Sequence, residues 1–259
     1  MRLLVVRACA IGDFVLNLPA LRALSLAHPG AALTLVGNPE TLGLARAFIP
    51  VAAIHSIEVR PWSGLFHEPA PGLPFDKAWV WMKDPAVARH LLASGIPDVV
   101  HAAPFPITGH AASHLLATVG LAAPPLPDLW KGGSDRLILH PGSGSNNKVW
   151  PHFEALASRL PEAAVLLGPA DTPLAVPNRC LKNLSLTQVA KALRECHAFV
   201  GNDSGITHLA AYCGAPVVAL FGPTDPAVWG PVGRRVRLLR EAVLADISVD
   251  QVVRALQAF

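Results

Sequence analysis

The sequence predicts an α/β protein made of two Rossmann-like halves, each a parallel sheet with helices on both faces. Three observations predict it. Short, continuous apolar runs, each followed by an amphipathic segment, recur from end to end of the chain. The rhythm breaks once, at Leu121-Ala122-Ala123-Pro124-Pro125-Leu126-Pro127, and then restarts. The length, 259 residues with 52% hydrophobic, suits one large domain or two small ones and supplies an ample core. Such apolar content offsets chain entropy and excludes intrinsic disorder.

In the first half, Leu3-Leu4-Val5-Val6 predicts a buried strand, followed by the turn Ala10-Ile11-Gly12-Asp13. A helix is expected from Phe14 to Ala27, stopped by His28-Pro29-Gly30. Ala32 to Val36 reads as the next strand and Pro39 to Phe48 as the next helix. Further strands are expected at Ile54–Val59, Ala78–Met82 and Val99–His101, with helices at Pro85–Ala93 and Ala111–Val119.

The proline-rich break makes a stiff extended linker, and Lys131-Gly132-Gly133-Ser134 follows it. Domain boundaries of 1–130 and 131–259 are therefore expected. Beyond the break come strand Leu137–His140, a glycine loop, helix Pro151–Leu160 and strand Ala164–Leu167. Helix Leu186–Glu195, strand Ala198–Val200, helix Gly205–Tyr212 and strand Val217–Phe221 complete the core, and Val249–Leu256 closes the chain as a helix. The sequence shows no repeat with a period of 20–50 residues. Ligands are expected at the carboxyl ends of the strands, in a cleft between the two facing halves.

Charge and cysteine usage narrow the class. The formal net charge is +3, too small for a nucleic-acid binder but suited to a small anionic ligand. Cys9, Cys180, Cys196 and Cys213 form no CxxC pair and have no histidine at zinc-finger spacing, which argues against a disulfide scaffold or a structural zinc site. Arg2, Arg7 and Asp13 surround the first apolar run, unlike a signal peptide, and no uninterrupted apolar stretch of about 20 residues is present. A cytoplasmic protein is the expectation.

Three loops carry chemistry. The first, Arg7-Ala8-Cys9-Ala10-Ile11-Gly12-Asp13, places Asp13 near a helix N-terminus, where it either caps the helix or serves a reaction. The second, His140-Pro141-Gly142-Ser143-Gly144-Ser145-Asn146-Asn147-Lys148-Val149-Trp150-Pro151, offers small residues whose N–H groups can approach an anion, and Lys148 as a point charge. It is not a Walker A loop, because Asn147 replaces the second glycine and Val149 the Ser or Thr that would hold magnesium. A flexible turn with a solvated lysine is the competing reading. In the third, Gly201-Asn202-Asp203-Ser204-Gly205-Ile206-Thr207-His208, Asp203 and Ser204 fit an N-cap and leave the N–H groups of Gly205, Ile206 and Thr207 for an anion. Its Asp-Ser-Gly string looks like a serine protease motif, but GxSxG is absent. His208 is read equally as a hydrogen-bonded core residue or a ligand contact.

Together the three loops resemble glycosyltransferase family 9, which includes the bacterial lipopolysaccharide heptosyltransferases. The resemblance lies in Met1–Arg7 with Ala10-Ile11-Gly12-Asp13 and Leu18-Pro19-Ala20-Leu21, and in His140-Pro141-Gly142-Ser143 with Lys148, Trp150 and Pro151. It is longest from Gly201-Asn202-Asp203-Ser204-Gly205 through Leu220-Phe221-Gly222-Pro223-Thr224-Asp225-Pro226. Residues 50–130 carry no such motif.

The resemblance implies a GT-B fold, with the acceptor on the first domain and a nucleotide-sugar donor on the second. It implies inverting transfer of a heptose from an ADP-sugar to a glycan or lipid-linked saccharide, with no cofactor and no essential metal. Asp13 would then be the base, with Gly12 in the acceptor-side loop. Lys148 would be the catalytic cation behind the leaving diphosphate. Donor contacts would come from Gly142, Ser143, Asp171, Asp203, Ser204, Gly205, Ile206, Thr207 and His208. A peripheral place at the inner face of the inner membrane is compatible with such an acceptor.

A free aspartate has a pKa near 4, so partial desolvation of Asp13 or late proton transfer is expected. The chain is shorter than is usual in that family, and Asp171 is the one carboxylate close enough to Leu167-Gly168 to serve the donor ribose. Two rivals stand beside this reading: a nucleotide-binding scaffold that has lost transfer, and a GT-B enzyme acting on UDP-sugars. The six tryptophans are expected in the core.

Overall fold

A computed structural model describes all residues, 1–259. The chain folds into two compact units, Met1–Pro125 and Leu126–Phe259. The division falls before 130 because Asp128 and Trp130 are tied to the second unit. Arg235 pairs with the Asp128 carboxylate at 3.0 Å and lies 4.8 Å from the Trp130 ring, whose Nε1 donates to the Cys196 carbonyl at 2.7 Å.

The first unit runs β1 (Arg2–Arg7), α1 (Ile11–Ala27), β2 (Ala32–Gly37), α2 (Pro39–Gly43), β3 (Ala53–Ser56), β4 (Lys77–Trp81), α3 (Ala86–Ala93), β5 (Val99–Ala102) and α4 (Ala111–Val119). Its strands pair in parallel in the order β3-β2-β1-β4-β5. The central strand β1 is buried from Leu3 to Arg7, as a continuous apolar run in a doubly covered sheet should be. Nearly every residue of α1 from Phe14 to Leu24 is buried, and this helix packs on α4. Local chemistry sets the ends: Asn38 accepts the Glu40 N–H at 3.0 Å with Pro39 at the first position of α2, and Gly120 ends α4 in the left-handed region, φ 67°.

The second unit runs β6 (Leu137–His140), α5 (Phe153–Arg159), β7 (Ala164–Leu166), β8 (Cys180–Leu181), α6 (Leu186–Glu195), β9 (Ala198–Asn202), α7 (Gly205–Tyr212), β10 (Val217–Phe221), α8 (Pro226–Trp229), β11 (Val236–Arg240) and α9 (Val249–Gln257). The strands are again parallel, in the order β11-β10-β9-β6-β7-β8. Capping boxes, Ser185 with Gln188 and Ser248 with Gln251, start α6 and α9. Around β9 and β10 the core joins Leu139, Trp150, Phe153, Leu156, Val200, Val218, Leu220 and Ile247. Trp62, Trp79, Trp81 and Trp150 are all core residues.

Both sheets reverse their winding once, between β1 and β4 and between β6 and β9. At such a switch point the connections leave in opposite directions and open a crevice beyond the carboxyl ends of the two strands. The crevice falls at Arg7–Asp13 in the first unit, and at His140–Trp150 with Asn202–Ser204 in the second.

Among the strands and α-helices, three lie outside the sequence reading: β8, α8 and β11. The pattern of β11 is Val-Arg-Leu-Leu-Arg, mostly exposed at a sheet edge, where charge discourages pairing with another chain and also hides the strand signal. β8 has two residues, and α8 is a single turn started by Asp225 and Pro226. No helix is long and apolar enough to cross a membrane.

Candidate active site

In the second unit a fully buried asparagine holds two loops together. The Asn202 Oδ1 accepts the Trp150 N–H at 3.0 Å, and its Nδ2 donates to the carbonyls of Pro141 and Gly142 at 2.8 and 3.4 Å. The Ser143 hydroxyl donates to the Asp203 carbonyl at 3.2 Å. The glycine loop is thereby pinned to the end of β9. Gly201 is required there, since a Cβ would stand 2.5 Å from the Thr207 hydroxyl and 2.7 Å from the Phe199 ring.

Asp203 lies at the centre of this crevice, its side chain 7% exposed. Lys148 Nζ donates to its Oδ2 at 2.7 Å and the Thr224 hydroxyl to the same oxygen at 2.5 Å, while His208 Nε2 stands 3.7 Å from Oδ1. Burial pushes this carboxyl up, but the contacts from His208, Lys148 and Thr224, with the Lys148 charge, outweigh it and hold Asp203 at about 2. Asp203 is therefore ionised at neutral pH and fixes the position of Lys148.

That shift has a stability consequence. A carboxylate whose folded pKa is depressed stabilises fully above its unfolded value, 3.8, and loses that stabilisation as pH falls toward 2. The contribution is on the order of 2 kcal/mol. Acid unfolding of the wild-type chain should therefore lose roughly that much more stability between pH 4 and pH 2 than Asp203→Asn loses. Equal slopes in equilibrium denaturation across that interval would contradict the assignment.

Ser204 is the N-cap of α7 and accepts the Thr207 N–H at 3.4 Å. The N–H groups of Gly205 and Ile206, in the first turn, have no acceptor within the helix by position. Thr207 is turned inward, 1% exposed, with its hydroxyl donating to the Asn202 carbonyl, so it braces the loop from within. His208 is buried on α7 behind Asp203, and it serves the loop by facing that carboxylate.

Asp171 follows β7 and folds over the glycine loop. Its Oδ2 accepts the Gly168 N–H at 2.7 Å and lies 3.7 Å from Nδ1 of His140. A Cβ on Gly142 would fall 2.2 Å from this carboxylate, so only glycine permits the approach. Burial pulls the His140 pKa down, which keeps the ring neutral at pH 7, with Nδ1 meeting the Leu166 carbonyl at 3.0 Å. Beside these groups opens a cavity of about 470 Å³ lined by Gly142, Ser143, Trp150, Glu154, Asp171 and Pro173 among others.

In the first unit, Asp13 is not the helix cap. The helix begins at Ile11, with Ala10 as N-cap and no side-chain cap bond, which leaves Gly12 and Asp13 inside the first turn. The Asp13 side chain is 34% exposed, and its Oδ2 lies 3.9 Å from Nη2 of Arg7.

Arg7, Asn202 and Thr224 were visible in the sequence only as members of motif strings. Their partners are far off along the chain: Trp81 is 74 residues from Arg7, and Thr224 is 21 from Asp203. A polar residue ending an otherwise apolar strand, as Arg7 and Asn202 do, is the one local signal that could have marked them.

The fold and the site define the class first: a doubly wound α/β protein of the GT-B fold with an anion-ready loop pair in its second unit. The structure is similar over 99% of the chain to the glycosyl transferase family 9 protein from Veillonella parvula, with a TM-score of 0.79 at 18% identity and 96% of that chain covered. It is also similar over its full length to the E. coli heptosyltransferase WaaC with ADP, TM-score 0.76 at 19% identity, covering 99% of that chain. By sequence, an alignment 112 positions long, covering 36% of this chain and 32% of that relative's length, is 34% identical to lipopolysaccharide heptosyltransferase 2 of Escherichia coli K12. Residues 128–251 match glycosyltransferase family 9 (heptosyltransferase). The match to glycosyltransferase family 9 falls within the second unit and covers a little under half of this chain. A weaker likeness, TM-score 0.63 at 12% identity over 99% of this chain and 75% of the other, is to the dodecameric iron-containing heptosyltransferase TibC. In the present chain no group of three or more His, Cys, Asp or Glu side chains is placed to hold a metal ion.

Proposed function

We propose that this chain transfers a sugar, heptose, from an ADP-sugar to a saccharide acceptor with inversion and without a metal. The observation that carries the reading is the fixed Lys148 beside the pinned Gly142-Ser143 loop and the first turn of α7, all at one switch point. A diphosphate that leaves with two negative charges needs preorganised positive charge and N–H donors where charge develops. Lys148 supplies the point charge, and Gly205 and Ile206 supply N–H groups with the helix dipole behind them. Asp203 holds Lys148 in place. Asp171 faces the cavity in which a ribose could sit.

Asp13 takes the proton from the acceptor hydroxyl as that oxygen attacks the anomeric carbon, opposite the departing ADP. One base on the attacking side is what inversion requires. Asp13 lies in the first turn of α1 and is not its N-cap. The acceptor is a glycan or a lipid-linked saccharide, and the heptose assignment follows the relatives.

A thermal shift of the purified protein with ADP, UDP and GDP, each with and without EDTA, tests the donor half of this reading. Ligand at 100 times its dissociation constant stabilises by about 2.7 kcal/mol, a rise of roughly 5–10 °C for a unit of this size. The expected result is a rise with ADP that EDTA does not change. A preference for UDP or GDP would replace the donor. Loss of the shift in EDTA would replace the metal-independent chemistry, and no shift with any nucleotide would favour a scaffold.

A further inference from the structure

Arg7 has no packing reason to be an arginine. It ends β1, the central strand of the first sheet, and its side chain is 6% exposed. Burying a guanidinium costs several kcal/mol unless it is paired, and an apolar side chain would fill the end of a buried strand at lower cost. Its contacts are specific. Nη1 donates to the carbonyl of Trp81 at 3.2 Å, at the end of β4 on the other side of the switch point. The Phe105 ring lies 5.9 Å from the guanidinium carbon. Nε is enclosed and makes no hydrogen bond. The remaining arm, Nη2, is 3.9 Å from Oδ2 of Asp13, the one carboxylate within ion-pair distance.

One arm of the fork is fixed by backbone and one side by a ring, and the Cys9 thiol, kept protonated by burial that pushes it up to about 11, also contacts the guanidinium; all three are neutral, so the charge of Arg7 is matched by Asp13 alone. The separation is too long for a hydrogen bond and short enough for an ion pair. That spacing attracts and orients a carboxylate while leaving its lone pairs open to an incoming hydroxyl. A tight two-bonded pair would instead occupy both oxygens.

We propose that Arg7 is a positioning residue for Asp13: anchored by Trp81 and Phe105, it holds the carboxylate turned toward the acceptor hydroxyl. This rests on Asp13 acting as the base. Trp81 and Phe105 act one step further back, since they fix the guanidinium.

A double-mutant cycle tests it, read by ADP release from ADP-heptose with water as the acceptor. Arg7→Met removes the charge at similar volume and should lower kcat by about 10–100-fold, the effect expected when a reacting group is misplaced by about 1 Å. The KM for ADP-heptose should stay within about twofold, because uniform donor binding is untouched. Arg7→Lys, which keeps the charge, should lose less than Arg7→Met. In an Asp13→Asn background, Arg7→Met should cause no further loss, since its effect passes through Asp13. Equal fold-losses in both backgrounds, with or without a fall in melting temperature, would overturn the proposal, as would an Arg7→Met enzyme at wild-type kcat. If Arg7→Met fails to fold, Arg7→Gln, which keeps a donor for the Trp81 carbonyl, carries the same comparison. The underlying reading fails separately: Asp13→Asn would then retain wild-type turnover, or the wild-type chain would release no ADP.

Discussion

Asp13→Ala should lower turnover about 10²–10⁴-fold, the range that a positioned general base supplies, with ADP affinity unchanged. The geometry separates these two outcomes. Asp13 sits in the first turn of α1, in the first unit, and Ala10 rather than Asp13 ends the helix, so its removal takes away no cap. The groups proposed to face a diphosphate, Lys148 and the first turn of α7, are in the second unit and keep their contacts in the variant. Steady-state kinetics with ADP-heptose, beside an ADP titration followed by calorimetry, checks both halves. Turnover near wild type would remove Asp13 from the reaction, and a parallel loss of ADP binding would make it a structural residue.

Asn202→Ala should destabilise the second unit by about 2–4 kcal/mol and lower its melting temperature by roughly 5–15 °C. The asparagine is fully buried, and its loss strands the Trp150 N–H and the carbonyl of Pro141 away from water. Leaving a buried donor or acceptor unpaired costs far more than the net worth of the bond. The same change frees the Gly142-Ser143 loop from β9, so ADP binding should weaken as well. Asn202→Asp is an informative companion. It keeps an oxygen for the Trp150 N–H but sets a carboxylate oxygen against the carbonyls of Pro141 and Gly142, so it should be no more stable than the alanine variant. Calorimetric scans of the three proteins decide the matter; an unchanged transition for Asn202→Ala would mean that the loop is held by other contacts.

Much of the fold was legible residue by residue. Leu3–Val6, Leu137–His140 and Val217–Phe221 are continuous apolar runs, and each became a buried parallel strand. A central parallel strand is buried on both faces, so its signal is strong and local. The proline run at 121–127 located the junction to within a few residues, and Asp128 and Trp130 moved it because their partners are Arg235 and Cys196, far along the chain. The edge strand β11 escaped notice for the opposite reason to β1: little of it is buried, so burial left no pattern to read. At the site, the loop bearing Gly142 and Lys148 and the loop bearing Asp203 and Ser204 both stood out as strand-to-helix turns rich in small residues. The role of Asp13 could not be separated from a helix cap, because a cap and a base both place an aspartate near a helix start. The observed first residue of α1, Ile11, places Asp13 inside the first turn rather than at the N-cap.

The sequence by itself determined two parallel α/β units, their order and the three loops at their strand ends, since hydrophobic period and turn chemistry act between neighbours along the chain. Only the tertiary structure decided which polar groups meet. Lys148 and Asp203 are separated by 55 residues and touch at 2.7 Å; Arg7 and Trp81 by 74, at 3.2 Å. These contacts depend on strand order, and strand order is set by how the helices close over the whole sheet rather than by any local run of residues. Thr224 reaches the same carboxylate for that reason, while His208 meets it from the helix that directly follows, and the lowered pKa of Asp203 is a property of the assembled crevice.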